Sequence, residues 1–402
     1  MKPTVAHLLP DYNPFPPIYA AGTELRVEMV SRRQVRYRPV VVCGWFEGQP
    51  ETEDQPPVRI RRIRVGRVYR RLFQKITRLD PLPYAERMWR ILREERAAIV
   101  HIHNEPKLLA GLDARLGQAS LPVVVHVANE KPLPRAAMHR VSRWIACSRY
   151  IQGWLERHNA IPAARIRVIY TGVDASGHPP RWEIPDAARA GLRARFGVTD
   201  PRATVLLFAG RLVREKGVNE LLDAYERLRQ RASGPMMLLI AGNVRESDDP
   251  GNEKAVYGKA ATKRIASMDG VKWVGSLRPD HMHDFLVAGD VFVMPSLWND
   301  PFPTVMLEAA AAGLPIVAAA RGGITEFLSG CPDFSFVADP GDPDAIAAEI
   351  RRYVESPLAR ASAGRWLRAR VERDFAWDRV CREFEDLYDV LLQSRSRATP
   401  AP

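Results

Sequence analysis

Strand segments rich in Val and Ile alternate with helical patterns along the chain, and the alternation starts again near its middle. The first half predicts strands over 3–9, 38–43, 58–65, 98–103, 122–128, 144–147 and 166–170, and helices over 22–35, 84–96, 107–118 and 149–158. The second half predicts strands over 204–209, 236–241, 271–274, 290–295, 315–320 and 334–338, and helices over 217–232, 254–268, 280–288, 303–312 and 342–355. This alternation is typical of parallel sheets covered by helices on both faces.

A stretch without periodicity separates the two halves. Residues 171–186 are rich in Gly and Pro, so we interpret them as a linker. We therefore predict an α/β chain with two doubly wound, Rossmann-like domains, over 1–172 and 187–375, joined by 173–186. Folds of this type bind ligands at the carboxyl ends of their strands, so we expect the two sheets to face each other across a cleft.

The cysteines and apolar segments limit the possible environments. The four cysteines lie far apart, which argues against a zinc site or a disulfide framework and favours a reducing compartment. Apolar stretches are of strand length, well below the roughly 18 residues of a membrane span. A strand lies near the first residue in place of a signal peptide. We expect a cytoplasmic protein.

The net charge of +12 is unevenly distributed. Residues 1–172 carry 29 basic and 15 acidic side chains, and residues 59–78 alone carry nine basic ones. Such a stretch could bind an anionic surface, or it could be a solvated face without a partner. A nucleic-acid partner is not expected, because no nucleic-acid-binding motif accompanies the charge.

The segment 295–308 has the strongest chemical pattern. A buried strand ends there, a loop presents Asp300, and Pro303 suits the first turn of the next helix. Free backbone N–H groups at residues 304–305 would suit a phosphate or a sugar hydroxyl, and Glu308 lies about a turn and a half further on. The alternative is a surface loop capped by Asp300, with Glu308 as a solvated helix residue.

Two turns of the second half carry weaker patterns. In the turn 210–217, Gly210 permits a sharp exit from a strand, and Arg211 and Lys216 could bring positive charge to a diphosphate. The same turn could also be an ordinary basic turn. In the turn 321–326, two successive glycines would let the backbone approach a ligand closely.

In the first half, Gly22 opens a helix after the first strand, and His126 lies at the carboxyl end of a strand. A histidine there could donate to a sugar hydroxyl or respond to phosphate charge, although a lone strand-end histidine is more often structural. His101 and His103 are typical of side chains that fill a strand, and Asn104 is typical of a turn. His103 could also line the ligand site.

Taken in order, these segments resemble glycosyltransferase family 4, a group with the GT-B fold. The resemblance rests on the turns 210–217 and 322–326, the segments 295–308 and 168–174, and their spacing. It implies an acceptor-binding first domain and a nucleotide-sugar-binding second domain. It also implies a last helix over 376–394 that crosses back to the first domain, and we expect a disordered tail over 395–402.

The resemblance implies roles for individual residues. The turn 210–217 would bind the donor diphosphate, Glu308 the ribose hydroxyls, and the loop 300–305 the transferred sugar. The implied catalytic residues are His126, Asp300, Arg211 and Lys216. The implied donor-binding residues are Gly22, Gly210, Arg211, Lys216, Asp300, Phe302, Pro303, Thr304, Val305 and Glu308, and the acceptor-binding residues are His103 and Glu130. Two positions depart from the family pattern, because Asp300 stands where glutamate is usual and Pro303 where glycine is frequent.

The resemblance further implies a retaining transfer of a sugar from a nucleotide-diphosphate sugar, with UDP first and GDP next, to a glycan, a glycolipid or a small molecule. Such reactions build surface polysaccharides and glycoconjugates. We expect no cofactor and no metal. The basic stretch 59–78 could bring the protein to an anionic membrane face that carries a lipid-linked acceptor. The alternative function is a catalytically inactive GT-B scaffold.

Overall fold

The computed structural model describes residues 2–18, 22–65, 84–231, 234–245, 247, 249 and 251–398. The chain forms two compact units, one of Met1–Thr171 with Trp377–Pro402 and the other of Gly172–Ala376. Each unit contains a mainly parallel β-sheet flanked by helices. The predicted α/β fold class with two Rossmann-like sheets is confirmed.

The first unit contains an eight-stranded sheet in the order β3-β4-β2-β1-β5-β6-β7-β8, in which only the β3–β4 pair is antiparallel. The short polar strand β3 is absent from the prediction because its sequence Thr-Glu-Asp-Gln has no apolar alternation. The elements are β1 Thr4–Leu8, α1 Gly22–Arg33, β2 Arg38–Gly44, β3 Thr52–Gln55, β4 Val58–Ile63, α2 Tyr84–Glu94, β5 Ala97–His103, α3 Lys107–Ala119, β6 Val123–Val127, β7 Arg143–Ala146, α4 Arg149–Asn159 and β8 Ile166–Val168.

The second unit contains a five-stranded parallel sheet in the order β11-β10-β9-β12-β13. Its elements are α5 Asp186–Arg195, β9 Thr204–Ala209, α6 Val218–Arg231, β10 Met236–Ala241, α7 Glu253–Ser267, β11 Val271–Gly275, α8 Pro279–Ala288, β12 Val291–Met294, α9 Thr304–Ala311, β13 Ile316–Ala318, α10 Ile324–Leu328, α11 Pro343–Glu355 and α12 Pro357–Asp374.

Two segments of the second unit differ from the predicted elements. The strand expected over 334–338 is reduced to one bridge between Ala319 and Val337, and the rings of Phe334 and Phe336 pack edge-on at 4.8 Å. Residues 173–186 have no regular strand or α-helix before Asp186, but they belong to the second unit. Arg368 holds part of this segment by donating to backbone carbonyls of residues 175 and 178 at 2.7 Å.

The C-terminal helix α13, Trp377–Ala398, packs on the first unit. Its apolar face forms one core with alternate residues of β1, β5, β6 and β7 and with α1: Val5, Val30, Ile99, Val124, Ile145, Trp377, Val380, Phe384, Leu387, Tyr388 and Leu391. The helix continues to Ala398, so the tail expected to be disordered from residue 395 is helical at its start. In the part of the chain that the structure describes, no helix is long and apolar enough to cross a membrane.

Candidate functional site

The strand order of the second sheet reverses between β9 and β12, which are paired neighbours. In doubly wound folds, ligands bind at the carboxyl ends of the strands at such a reversal. β9 leads into the turn 210–217, and β12 leads into the segment 295–308. The topology therefore brings together two segments that the sequence could not place beside each other.

Close backbone packing holds the two segments in place. Gly217 has a φ of +70°, and a Cβ at this position would lie 2.1 Å from the Pro295 carbonyl oxygen. The Leu297 N–H donates to the Glu215 carbonyl at 3.0 Å. Only glycine satisfies both the left-handed backbone and this contact, so the glycine that ends the basic turn is a packing requirement.

The Lys216 ammonium forms an ion pair with the Asp300 carboxylate. Both side chains are largely buried, and the ammonium also lies 5.6 Å from the centroid of the Trp298 ring. Lys216 is thus held beside the start of α9. The Asp300 carboxylate fixes the position of the ammonium, which keeps further N–H groups that can donate to a ligand.

Helix α9 begins at Thr304, with Pro303 as its N-cap. Proline has no side-chain acceptor, and no side chain caps the N–H groups of the first turn. The first hydrogen bond of the turn is that from Met306 N–H to the Pro303 carbonyl, at 3.1 Å. A helix N-terminus with uncapped N–H groups is suited to an anion or a sugar hydroxyl.

Glu308 lies in the second turn of α9 and is half-buried. Protein atoms surround its carboxyl group closely enough to raise its pKa to about 7, entirely through burial, although part of the side chain stays accessible. Glu308 is therefore shielded from solvent over part of its side chain, unlike a fully solvated helix residue.

The glycines of the turn 322–326 lie against the loop 299–302. A Cβ on Gly322 would lie 2.2 Å from the Asp300 carbonyl oxygen, and one on Gly323 would lie 2.0 Å from the Pro301 carbonyl oxygen. The Gly323 N–H donates to the Asp300 carbonyl at 2.8 Å. These glycines let the backbone approach the 299–302 loop, so they support the site from behind.

The other predicted donor-site residues occupy different positions around this loop. Arg211 is exposed at the start of the basic turn, directly after Gly210. Phe302 is buried and stacks on Phe375, with ring centroids 5.8 Å apart, so its side chain anchors the loop. A Cβ added at Gly210 would meet only the Phe208 ring, at 3.5 Å, whereas the Gly210 carbonyl oxygen would lie 1.7 Å from a Cβ added at Gly242.

In the first unit, His103 ends β5 and pairs in register with His126 of β6. Both rings are fully buried, and their centroids lie 6.1 Å apart. Among the described residues, neither ring nitrogen of His126 has a hydrogen-bond partner. Glu130 is exposed and accepts a hydrogen bond from the Tyr150 hydroxyl. Gly22 is the first residue of α1, and a Cβ added there would meet no atom of the described part of the chain within 4 Å.

A network of histidines surrounds His103. His7 Nδ1 and His103 Nε2 are 2.9 Å apart, His7 Nε2 lies 3.1 Å from the Gln34 side-chain oxygen, and His101 Nδ1 lies 2.6 Å from the Tyr388 hydroxyl. Burial lowers the pKa of every ring in this cluster, to about 4 for His7, so the rings are neutral at pH 7. In the described part of the chain, His7, His101 and His103 form the group that could hold a metal ion, with ligand atoms within 4.8 Å of one another.

Sequence reasoning missed several of these residues. His7 gives no signal of its own, because a single histidine in an apolar strand resembles core filling. Trp298 was part of the predicted loop, but its contact with Lys216 depends on the folding of two distant segments. Arg26 carries a signal that could have been found, because its position on α1 falls on the face that also buries Val27 and Val30.

Only the beginning of the basic stretch 59–78 lies within the described residues. Three of its arginines are paired with carboxylates: Arg59 with Asp54 and Glu95, Arg61 with Glu94 and Glu95, and Arg62 with Glu53. These arginines therefore add little free charge. The basic residues from Arg67 to Arg78 lie outside the described residues, and membrane attachment stays a prediction.

Comparisons with protein families match both units. Residues 195–369 match the family described as "Glycosyl transferases group 1", and residues 21–176 match "Glycosyltransferase Family 4". The chain is 31% identical over 379 residues to a lipopolysaccharide 1,2-N-acetylglucosaminetransferase of Salmonella typhimurium, an alignment that covers 92% of this chain and 94% of that protein.

Solved structures show the same fold. A sucrose-phosphate synthase from Thermosynechococcus elongatus superposes with a TM-score of 0.80 at 19% identity, covering 98% of this chain and all of that one. HepE from Anabaena, solved in complex with UDP and glucose, superposes with a TM-score of 0.73 at 19% identity, covering 96% of this chain and 99% of that one.

Proposed function

The chain belongs to the glycosyltransferases of family 4, and from this premise we propose that it transfers a sugar from a nucleotide-diphosphate sugar with retention of the anomeric configuration. A UDP-sugar is the first candidate donor, since HepE, which has the same fold, binds UDP and glucose. A GDP-sugar is the second. The acceptor is a glycan, a glycolipid or a small molecule of surface polysaccharide or glycoconjugate synthesis, in line with the lipopolysaccharide activity of the Salmonella relative.

The observation that carries this proposal is the grouping of Lys216, Asp300, the uncapped start of α9 and Glu308 at the reversal of the second sheet. Lys216 and the exposed Arg211 supply positive charge for a diphosphate, and the first-turn N–H groups supply donors. Glu308, half-buried in the second turn of α9, supplies an acceptor for ribose hydroxyls. The loop from Asp300 to Val305 then contacts the transferred sugar.

In this mechanism the acceptor attacks from the face that the diphosphate leaves, and the departing diphosphate helps to remove the acceptor proton. The protein supplies no strong nucleophile. It orients the two substrates and stabilises the negative charge that develops on the diphosphate, which are the two largest contributions available to such a site. The family resemblance makes His126 a candidate to contact the transferred sugar, and its ring nitrogens have no hydrogen-bond partner among the described residues.

We propose that this site works without a metal ion. A metal-held diphosphate needs free carboxylates, whereas Asp300 is paired with Lys216. Lys216, Arg211 and the helix N–H groups then take the role of the cation. Chelation is expected to leave turnover unchanged, and loss of turnover on chelation that Mg²⁺ or Mn²⁺ restores would overturn the point.

The test of the function is a thermal-shift and donor-hydrolysis screen of the purified protein against UDP-, GDP-, ADP- and dTDP-sugars. Glu308→Ala and Arg211→Ala are expected to abolish the response to the correct nucleotide. Arg214→Ala is the matched control for Arg211→Ala, because Arg214 is an exposed arginine of the same turn. No response to any nucleotide in the unmodified protein would favour the inactive scaffold.

A further inference from the structure

One arginine of the first unit is buried with part of its guanidinium group unpaired. Arg26 is 5% exposed, and its Nε and Nη2 atoms have no hydrogen-bond partner in the part of the chain that the structure describes. The described residues place no carboxylate within ion-pair distance of it, and the nearby Glu24 accepts instead from the Asn13 amide at 3.0 Å. A buried guanidinium without a counter-charge lowers the stability of the folded protein by several kcal/mol relative to a paired one. Its presence therefore indicates either a function or a loss of stability.

The surroundings of Arg26 are polar and also incompletely paired. Among the described residues, His103 Nδ1, His101 Nε2 and both nitrogens of His126 are buried without hydrogen-bond partners. Arg26 lies on α1, which follows β1, and β1 pairs with β5, the strand that carries His101 and His103. Burial lowers the pKa of the three histidines, and the charge of Arg26 adds to this effect. Buried polar groups in native proteins are normally hydrogen-bonded, so a cluster of unpaired ones points to a ligand that would supply the bonds.

The position of the cluster is that of a ligand site. β1 and β5 are neighbours at the point where the strand order of the first sheet reverses. Arg26 lies on α1, the helix that follows β1, while His103 ends β5 and His126 lies beside it on β6. Parallel sheets bind ligands at this place.

The cluster favours an anion over a cation. His7 Nδ1 and His103 Nε2 are 2.9 Å apart, a hydrogen-bond distance that places a proton between the two nitrogens that a metal would need. The permanent charge of Arg26 would repel a metal ion. The neutral histidines, in contrast, can turn an N–H group toward an anion.

We propose that Arg26, with His126 and His103, binds an anionic group, a phosphate or a carboxylate, at the carboxyl ends of the first sheet. The identification of this group as part of a sugar-transfer substrate rests on the proposed function. The group belongs either to the donor diphosphate or to a charged acceptor. The anion site itself stands on the geometry of Arg26.

The experiment compares Arg26→Met and Arg211→Met, two matched replacements of a cation, by thermal unfolding in low-salt buffer as inorganic phosphate is added. The unmodified protein is expected to be stabilised by phosphate. Arg26→Met should bind phosphate at least about tenfold more weakly, as expected for a lost charge-assisted hydrogen bond. It should also unfold at a higher temperature without phosphate, because an uncompensated buried charge is gone. Arg211→Met should keep the Arg26-dependent response.

A second variant tests the same proposal if Arg26→Met does not fold. His126→Gln leaves the guanidinium in place, removes the imidazole, and is expected to weaken the phosphate response. The proposal is overturned if phosphate has no effect on the unmodified protein, or if the response survives unchanged in Arg26→Met or His126→Gln.

Adding UDP distinguishes the two sources of the anion. If saturating UDP removes the Arg26-dependent phosphate response, the group is the donor diphosphate; if the response persists, the group belongs to the acceptor. Glu308→Gln tests the proposed donor site independently of the anion site. It should weaken UDP binding by about tenfold or more and keep the phosphate response, so the anion site can still be measured if the donor assignment fails.

Discussion

In each unit, a basic side chain lies near the point where the strand order of the sheet reverses. The two basic side chains differ in whether a carboxylate of the protein is paired with them. In the second unit, Lys216 is paired with Asp300 and held by the turn 210–217. In the first unit, Arg26 has no carboxylate partner among the described residues and lies near neutral histidines. A charge that the protein neutralises itself is positioned before any substrate arrives, whereas an uncompensated one gains its partner from outside.

The largest effect is expected from Lys216→Met, the counterpart of Arg26→Met. Loss of this charge at a departing diphosphate should lower turnover by about 10²- to 10³-fold. It should also destabilise the protein by about 1–3 kcal/mol, because Asp300 is left buried without its partner. Turnover and chemical denaturation measure the two effects.

Lys254→Met is the control for this change, because Lys254 pairs with the half-exposed Glu215 at 2.8 Å. Such surface pairs contribute within about 1 kcal/mol. If Lys216→Met and Arg26→Met shift stability in the same direction, the contrast between the two units is wrong.

Glu308→Gln should weaken donor binding by about tenfold or more, because a carboxylate is a stronger acceptor than an amide. In the unmodified protein, donor affinity should fall as the pH drops below about 7, where the Glu308 carboxylate takes up a proton. The variant should lose this pH dependence. Isothermal titration of the nucleotide across this range provides the measurement.

The same substitution has an opposite effect on stability. The folded pKa of Glu308, about 7, lies above its ordinary value of 4.5, so the folded chain binds the proton more tightly. Stability from this group is therefore present below pH 4.5 and is lost as the pH rises through about 7. Glu308→Gln should be the more stable protein at higher pH. Glu355→Gln, at an exposed position of α11, is the control and should change neither property.

Two glycines allow a comparison of backbone packing. Gly217→Ala should cost at least about 2 kcal/mol, since it combines a left-handed backbone with a contact to the Pro295 carbonyl. Gly22→Ala meets no atom within 4 Å and should change stability by less than about 0.5 kcal/mol. Weaker donor binding in Gly22→Ala without loss of stability would assign that open space to a ligand; a stable Gly217→Ala would contradict the packing argument.

The smallest effect is expected from Tyr388→Phe, which removes the 2.6 Å hydrogen bond between the hydroxyl and His101 Nδ1. The loss should be about 1 kcal/mol, measured by denaturant unfolding, because a buried ring nitrogen is left without its partner. An unchanged protein would mean that the histidine cluster of the first unit tolerates a further partnerless atom, and would weaken the argument built on Arg26.

Much of the fold follows from local patterns. The strands of both sheets and most of the helices were predictable because apolar periodicity reports burial directly. The polar strand β3, Thr52–Gln55, and the helix α12, Pro357–Asp374, were not, since neither has a clear apolar stripe. At the site, Asp300, Glu308 and the basic turn were predictable because they follow strands in a loop-to-helix pattern.

The sequence by itself determined the α/β class, the family and the segments that carry the polar side chains, because these depend on residue types at short spacing. Only the tertiary structure decided which distant groups meet. It joined Lys216 to Asp300, placed Gly322 and Gly323 against the loop 299–302, and surrounded Glu308 with enough protein to raise its pKa. It also buried Arg26 with its Nε and Nη2 atoms unpaired among the described residues. Contacts between residues far apart in the chain, and the burial of a charge, are properties of the packed sheet and helices, which local spacing does not encode.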